Sequence, residues 1–291
     1  MPFETPFTPV DPVRPVAGYI GGKRALAPRL VELIAGVPHR TYVEPFVGMG
    51  GVFFRRKNRP PAEVINDGNG EVANLFRILQ RHYPQLMDTL RFQITSRREF
   101  ERLKATDPAT LTDLERAGRF LYLQRTAFGG KVAGQHFGVD PRSGGSFNLT
   151  TLAPALEAVH ERLAGVTIEH LPWAKLIERY DRPETLFYLD PPYWGSEGDY
   201  GRHLFAREEF QAMAEQLGRL RGRFILSIND VPEIRRIFAA FAFEEVGLNY
   251  SVSKDKATPA RELIFRSGKV MTSPGKVRHE HVRWGTFDAT D

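Results

Sequence analysis

Two strand–turn–helix patterns follow one another between residues 41 and 79 with no hairpin between them, and few folds accommodate that. Thr41 to Phe46 is rich in β-formers and runs into Gly48, Gly50 and Gly51, after which Val52, Phe53 and Phe54 predict the start of a helix. Glu63 to Asp67 predicts a second strand, and Val72, Leu75, Phe76 and Leu79 recur behind it at helical spacing. Parallel strands need crossovers of this kind, so the pair predicts an α/β fold built on a parallel sheet. Upstream, Leu26, Leu30, Leu33 and Ile34 share one helical face. Before them, Met1 to Pro15 carries five prolines and reads as an extended arm.

From residue 80 to about 165 strand patterns vanish. The segment reads as helical, with Leu152, Leu156, Val159 and Leu163 on one face, around a glycine-rich loop from Gly129 to Gly145. Strand-like runs resume at Val166 to Ile168, Thr185 to Asp190, Phe224 to Ile228 and Leu263 to Phe265, with an amphipathic helix at Phe210, Met213, Leu217 and Leu220. The division expected is one sheet domain from residues 1–79 and 166–291, interrupted by a helical subdomain at 80–165. At 291 residues and 42% hydrophobic content the chain can bury such a core.

Absences narrow the chemistry. Without a cysteine there is no disulfide, thiolate metal site or sulfur nucleophile. His279-Glu280-His281 reads as a solvated segment, so no metal site is expected. No apolar run approaches 18 residues, so no membrane partner is expected and the chain reads as a soluble cytoplasmic protein. The net charge of +5 is uneven: residues 76–150 alone hold twelve basic against seven acidic groups, while 151–253 are net acidic. A basic middle segment suits an anionic partner.

The most informative stretch is Leu186-Phe187-Tyr188-Leu189-Asp190-Pro191-Pro192-Tyr193, an apolar strand that stops at an acid and two prolines. Open α/β sheets bind ligands at strand tips. Two successive prolines have no N–H and a fixed φ, so the Pro191 carbonyl is held rigid beside the Asp190 carboxylate. Two acceptors so placed can each take one N–H of an exocyclic amine on a nucleobase and let its nitrogen pyramidalise towards an electrophile. Tyr193 would offer its ring face to a base that has left the duplex.

The glycine turn Glu44-Pro45-Phe46-Val47-Gly48-Met49-Gly50-Gly51 is the candidate cofactor loop. Dinucleotide binding is disfavoured because Phe53 stands where G-x-G-x-x-G needs its third glycine, and a phosphate loop fails because Ala17 and Arg24 flank Gly22-Lys23 wrongly. Asp67 closes the next strand, where nucleoside-binding folds place an acid for the ribose hydroxyls.

These motifs together resemble the DNA adenine N6-methyltransferases of the Dam type, which use S-adenosylmethionine. Tyr19-Ile20-Gly21-Gly22-Lys23 resembles the family's N-terminal cofactor motif, in which the aromatic and lysine positions contact the methionine part of the cofactor. Glu44 to Gly50 resembles its glycine motif, Asn66-Asp67-Gly68-Asn69 its ribose motif, and Asp190-Pro191-Pro192-Tyr193 its catalytic motif. Phe120 to Leu123 with Phe128, Ser146-Phe147-Asn148, Ser227 to Asp230 and Arg261-Glu262-Leu263 are further matches. The resemblance implies a Rossmann-like methyltransferase sheet with an inserted, mainly helical target-recognition subdomain. It implies catalytic residues Asp190, Pro191, Pro192 and Tyr193, and cofactor contacts from Tyr19, Lys23, Glu44, Pro45, Phe46, Gly48, Gly50, Asp67, Asn69 and Asp190. The partners implied are S-adenosylmethionine and double-stranded DNA, with a cognate restriction endonuclease also admitted. Gly129 and Pro172-Trp173 depart from the family pattern, so no recognition sequence is carried over.

Two alternatives stay open: an N4-cytosine methyltransferase, disfavoured by Asp rather than Ser at position 190, and a DNA-binding relative without catalysis. In the basic middle, Arg91, Arg97, Arg98, Arg116, Arg119, Arg125 and Lys131 lie among Phe92, Phe120, Tyr122 and Phe128. Arg125, Gly129, Lys131 and Asn148 are the candidate DNA contacts. The run Arg55-Arg56-Lys57 with Arg59 reads as a solvated helix end.

Overall fold

The computed structural model describes residues 7–19, 21, 23–132, 134–138, 145–197, 205–251 and 257–269. Ile20, Gly22, residues 139–144 of the glycine-rich loop and the segment holding His279-Glu280-His281 lie outside the described residues.

In chain order, β1 (Thr8–Pro9), α1 (Ala27–Ala35) and β2 (Thr41–Glu44) lead to β3 (Asn58–Arg59), β4 (Ala62–Asn66) and α2 (Gly70–Arg81). Helices α3 (Tyr83–Leu90), α4 (Arg97–Ala105), α5 (Asp113–Thr126) and α6 (Leu149–Arg162) come next. Then β5 (Thr167–Glu169), α7 (Trp173–Tyr180), β6 (Thr185–Leu189), α8 (Glu208–Gly218), β7 (Arg223–Asn229), α9 (Pro232–Ile237), β8 (Phe241–Ser251) and β9 (Ala257–Lys269) complete the described fold.

The seven-stranded sheet runs β5-β4-β2-β6-β7-β9-β8. Its first five strands are parallel, and β9 is antiparallel to both neighbours. From β2 the chain moves outward to β4 and β5, then returns to the other side of β2 at β6. The strand order therefore reverses between β2 and β6, which opens a crevice at their carboxyl ends.

β6 carries period-two logic on both faces. Leu186 and Tyr188 point into one core, Phe187 and Leu189 into the other, and all five of its residues are buried. Helices α7, α8 and α9 cover the second face. On the first face the sheet, α1, α2 and the helices from α3 to α6 share one continuous apolar core. The helical segment therefore has no core of its own.

The expected helix after the glycine turn is a single 3₁₀ turn, Phe53–Arg55. Phe53 and Phe54 are both fully buried, and Arg56 goes extended to deliver β3 to the arm strand β1, so the turn has no room to propagate. The described part of the proline-rich arm, residues 7–15, carries no regular element apart from that two-residue pairing.

Candidate active site at the strand tips

The crevice is a cavity of about 1130 Å³. Its walls come from the arm (Arg14 to Tyr19), Lys23, the glycine turn, Asp67 to Asn69, His170 to Trp173, and Asp190 with Pro192. Of the residues expected at a cofactor, Tyr19, Lys23, Glu44, Pro45, Phe46, Gly48, Asp67, Asn69 and Asp190 all line it. Gly50, Pro191 and Tyr193 are not among the residues that line it.

The glycines shape the loop through backbone freedom. Gly48 has φ +50°, and a Cβ there would lie 2.9 Å from the Tyr19 ring. Gly50 has φ +73°, and a Cβ would meet Phe54 at 2.3 Å. Asp67 fixes the loop from the neighbouring strand tip, accepting from Gly48 N at 2.9 Å and from Asn69 N at 2.8 Å. Burial nonetheless pushes its carboxyl up to about 6, with those two N–H bonds acting the other way. Asn69 Oδ1 caps α2 by accepting from Glu71 N at 3.0 Å. Glu44 accepts from the Tyr42 hydroxyl at 2.8 Å, and burial pushes it up to about 8.

Behind Asp190 lies a cluster that local sequence does not show. Lys23 Nζ sits 3.0 Å from Asp190 Oδ1, donates to Tyr193 Oη at 2.7 Å and donates to Glu262 Oε2 at 3.0 Å. The Tyr193 hydroxyl itself donates to Glu262 Oε1. Ser227 Oγ reaches Asp190 Oδ1 at 3.4 Å and pairs with Tyr188 Oη at 2.8 Å. Lys23 was expected to face the cofactor; its three ammonium protons have three protein acceptors. Tyr193 was expected to act through its ring alone, and its hydroxyl proves to be held as well. Asn229 completes the clamp, accepting from Trp194 N at 2.9 Å and donating to Trp194 O at 3.1 Å.

Asp190 is thereby used on one side only. Its Oδ1 faces Lys23 and Ser227, whereas Oδ2 has no partner among the described residues, and the side chain is 20% exposed. The Pro191 carbonyl likewise accepts no hydrogen bond among the described residues. Two adjacent unmet acceptors at a strand tip suit a donor with two N–H groups.

Residues 19–252 match the model of the D12 class N6 adenine-specific DNA methyltransferases. The chain belongs to that family. It is 22% identical over 240 residues to the Type II methyltransferase M.CviBI of Paramecium bursaria Chlorella virus NC1A, covering 82% of this chain and 91% of that protein. Type II methyltransferase M1.LlaDCHI of Lactococcus lactis subsp. cremoris is 31% identical over 124 residues, 40% of this chain and 43% of that one. The DNA N-6-adenine-methyltransferase of Escherichia phage P1 is 28% identical over 262 residues, 82% of this chain and 33% of that protein. This is an adenine methyltransferase, so the N4-cytosine alternative falls, and methylation in this family draws generally on S-adenosylmethionine.

The residues expected to meet DNA lie around the connection from α5 to α6 and differ in exposure. Arg125 is half-buried on the cavity wall and donates to the carbonyls of Val16 at 3.2 Å and Ser146 at 2.9 Å. Asn148 caps α6, accepting from Thr150 N at 3.0 Å. Gly129, at φ +68°, and Lys131 are exposed, as is Phe128 between Arg125 and Lys131. Phe120 and Tyr122 are core residues, Arg116 pairs with Glu71 and Asp113, and Arg119 donates to the carbonyls of Leu103 and Lys104. Arg56 is not on a solvated helix end: it is 2% exposed and bonded to Glu63. Trp173, an apparent departure in sequence, lines the cavity and donates its indole N–H to Glu209 of α8. Among the described residues no helix is long and apolar enough to cross a membrane, and no group of acidic or histidine side chains could hold a metal ion.

Proposed function

We propose that this methyltransferase holds S-adenosylmethionine in the cavity at the β2 and β6 tips and methylates the N6 amine of an adenine flipped out of double-stranded DNA. The residues present suit that cofactor. Asp67 and Glu44 supply acceptors for hydroxyl or ammonium protons, and Phe46, Val47 and Met49 supply an apolar bed. The glycine turn leaves the backbone bare where a Cβ would collide with its own wall. When bound, the cofactor supplies an electrophilic methyl group. The protein's part is to orient the amine that receives it.

One observation carries the reading: Asp190 Oδ2 and the Pro191 carbonyl are neighbouring acceptors with no partner among the described residues. Each would take one N–H of the adenine amine, freeing the lone pair for attack, while Tyr193 receives the base on its ring. The exposure of Phe128, Gly129 and Lys131 on the loop after α5 supports a DNA-facing edge there, and we assign target recognition to residues 80–165 on that basis. The resemblance also admits a cognate restriction endonuclease beside this enzyme.

The test is methyl transfer from labelled cofactor to DNA, followed by nucleoside analysis. Asp190→Ala is expected to lower the single-turnover rate by about a hundredfold or more while keeping the fold. A near-normal rate in that variant would remove Asp190 from the mechanism, and wild-type product without N6-methyladenine would overturn the reading.

A further inference from the structure

Glu262 is a buried carboxylate that neutralisation alone does not explain. It lies on β9, opposite Asn229 of β7 in the sheet register, and its side chain is 1% exposed. Asp190 already gives the Lys23 ammonium an acid partner, and Glu262 is a second buried acid at the same nitrogen, each 3.0 Å from it. Such an arrangement persists only when other interactions hold it. One such interaction is the Tyr193 hydroxyl, from which Glu262 accepts while Lys23 donates to the same oxygen.

Sharing has a consequence for Asp190. A lysine committed wholly to Asp190 would draw electron density away from the carboxylate that must accept from the amine. A lysine divided between two acids holds Asp190 in place more gently. Resting on the adenine reading of the site, we propose that Glu262 is a positioning residue for methyl transfer: it divides Lys23 with Asp190 and anchors the Tyr193 hydroxyl, setting acceptor and ring before the base arrives. Asn229 holds the next residue of the same turn through Trp194, so adjacent strands β7 and β9 pin consecutive residues.

The groups that face Asp190 are Lys23 from the segment before α1, Ser227 on β7, Glu262 on β9, Tyr188 on its own strand and Glu44 on β2. Burial pushes Asp190 up to about 6; Lys23 acts against this and Glu262 with it. The rate of the wild type is therefore expected to fall on the acid side as Asp190 gains a proton.

The experiment measures kcat against pH, cofactor affinity, and 2-aminopurine fluorescence at the target position for wild type, Glu262→Gln and Tyr193→Phe. Glu262→Gln removes the charge and keeps the shape. It is expected to move the acid limb to lower pH, because Lys23 then acts on Asp190 alone, and to lower kcat about tenfold at pH 8, with cofactor affinity little changed. Tyr193→Phe keeps every charge, so its acid limb stays in place while kcat falls by a similar factor. A Glu262→Gln profile that coincides with wild type would overturn the proposal. If that variant does not fold, Tyr193→Phe decides: a wild-type rate there overturns the role. Product analysis of the wild type runs alongside, since absence of N6-methyladenine breaks the adenine reading itself, whereas its presence with unmoved variants breaks the role of Glu262 alone.

Discussion

The sheet carries two buried charge clusters at opposite ends of its parallel strands, and they are built with opposite arithmetic. At the carboxyl ends, two acids, Asp190 and Glu262, share one cation, Lys23. At the amino ends, two cations, Arg56 and Arg162, share one acid, Glu63. The lower cluster is sealed: Arg162 binds Glu63 with two bonds of 2.7 Å, and Arg56 lies over the Tyr42 ring at 3.8 Å. It joins α6 to β4 and so fastens the helical segment to the sheet. The upper cluster opens on the cavity, where the Asp190 side chain is 20% exposed. A closed cluster is a fastening, and an open one is a site, though residue types and burial look much alike.

Removing the shared acid of the lower cluster should break the comparison most forcefully. Glu63→Gln leaves two buried guanidiniums without a counter-charge, and about 3–5 kcal/mol of stability is expected to go. Denaturant midpoints are the measurement, with kcat of the folded variant unaltered. Asp190→Asn, run beside it, is expected to change the midpoint little, because Lys23 keeps Glu262 as its acid partner. If the two variants lost equal stability, the distinction between fastening and site would be wrong.

A smaller effect concerns pH. Glu44 has an ordinary value of 4.5 and is held near 8 by burial in the native state, so between these limits the unfolded chain releases a proton that the folded chain keeps. Its contribution to stability is therefore present below about pH 4.5 and is lost as pH rises towards 8. Glu44→Gln should consequently stabilise the protein more at pH 8 than at pH 5, by at least about 1 kcal/mol, the worth of roughly one pKa unit. Thermal melts at both pH values would show it, and a gain independent of pH would place the burden elsewhere.

The smallest expected change separates packing from recognition in the helical segment. Asn148→Ala removes the cap of α6 and should lower stability by about 1 kcal/mol while leaving the methylated sequence as it was. Sequencing of methylated sites checks the second half; an altered target would return Asn148 to the DNA surface.

What the sequence discloses here depends on whether a signal is local. Asp190-Pro191-Pro192-Tyr193 is legible because two prolines force one geometry wherever they occur, and the crossover order is legible because periodicity is read within a dozen residues. Lys23 and Glu262 are 239 residues apart, and no spacing rule links them. Arg56 looks like a solvated charge in its run, since the acid that buries it arrives from another strand. Asn148 belongs to a match to the family pattern, yet its oxygen is engaged at a helix terminus that only the backbone path reveals. Trp173 finds its acid, Glu209, across two helices for the same reason. In β8, Glu244 and Glu245 break the run of apolar residues, and what makes the segment a strand is its pairing with β9.

The register that sets Glu262 opposite Asn229 has a bearing on ancestry. The glycine turn, Asp190 and Glu262 come together because β2, β6, β7 and β9 follow one another across the sheet, with Lys23 reaching in from the segment before α1, and such placement does not depend on which segment is translated first. A gene rearrangement that rotated the order of these segments, with joins made in surface loops, would rebuild the same constellation. The chemistry is a property of neighbourhood in the sheet, and the linear order of its motifs is a historical record.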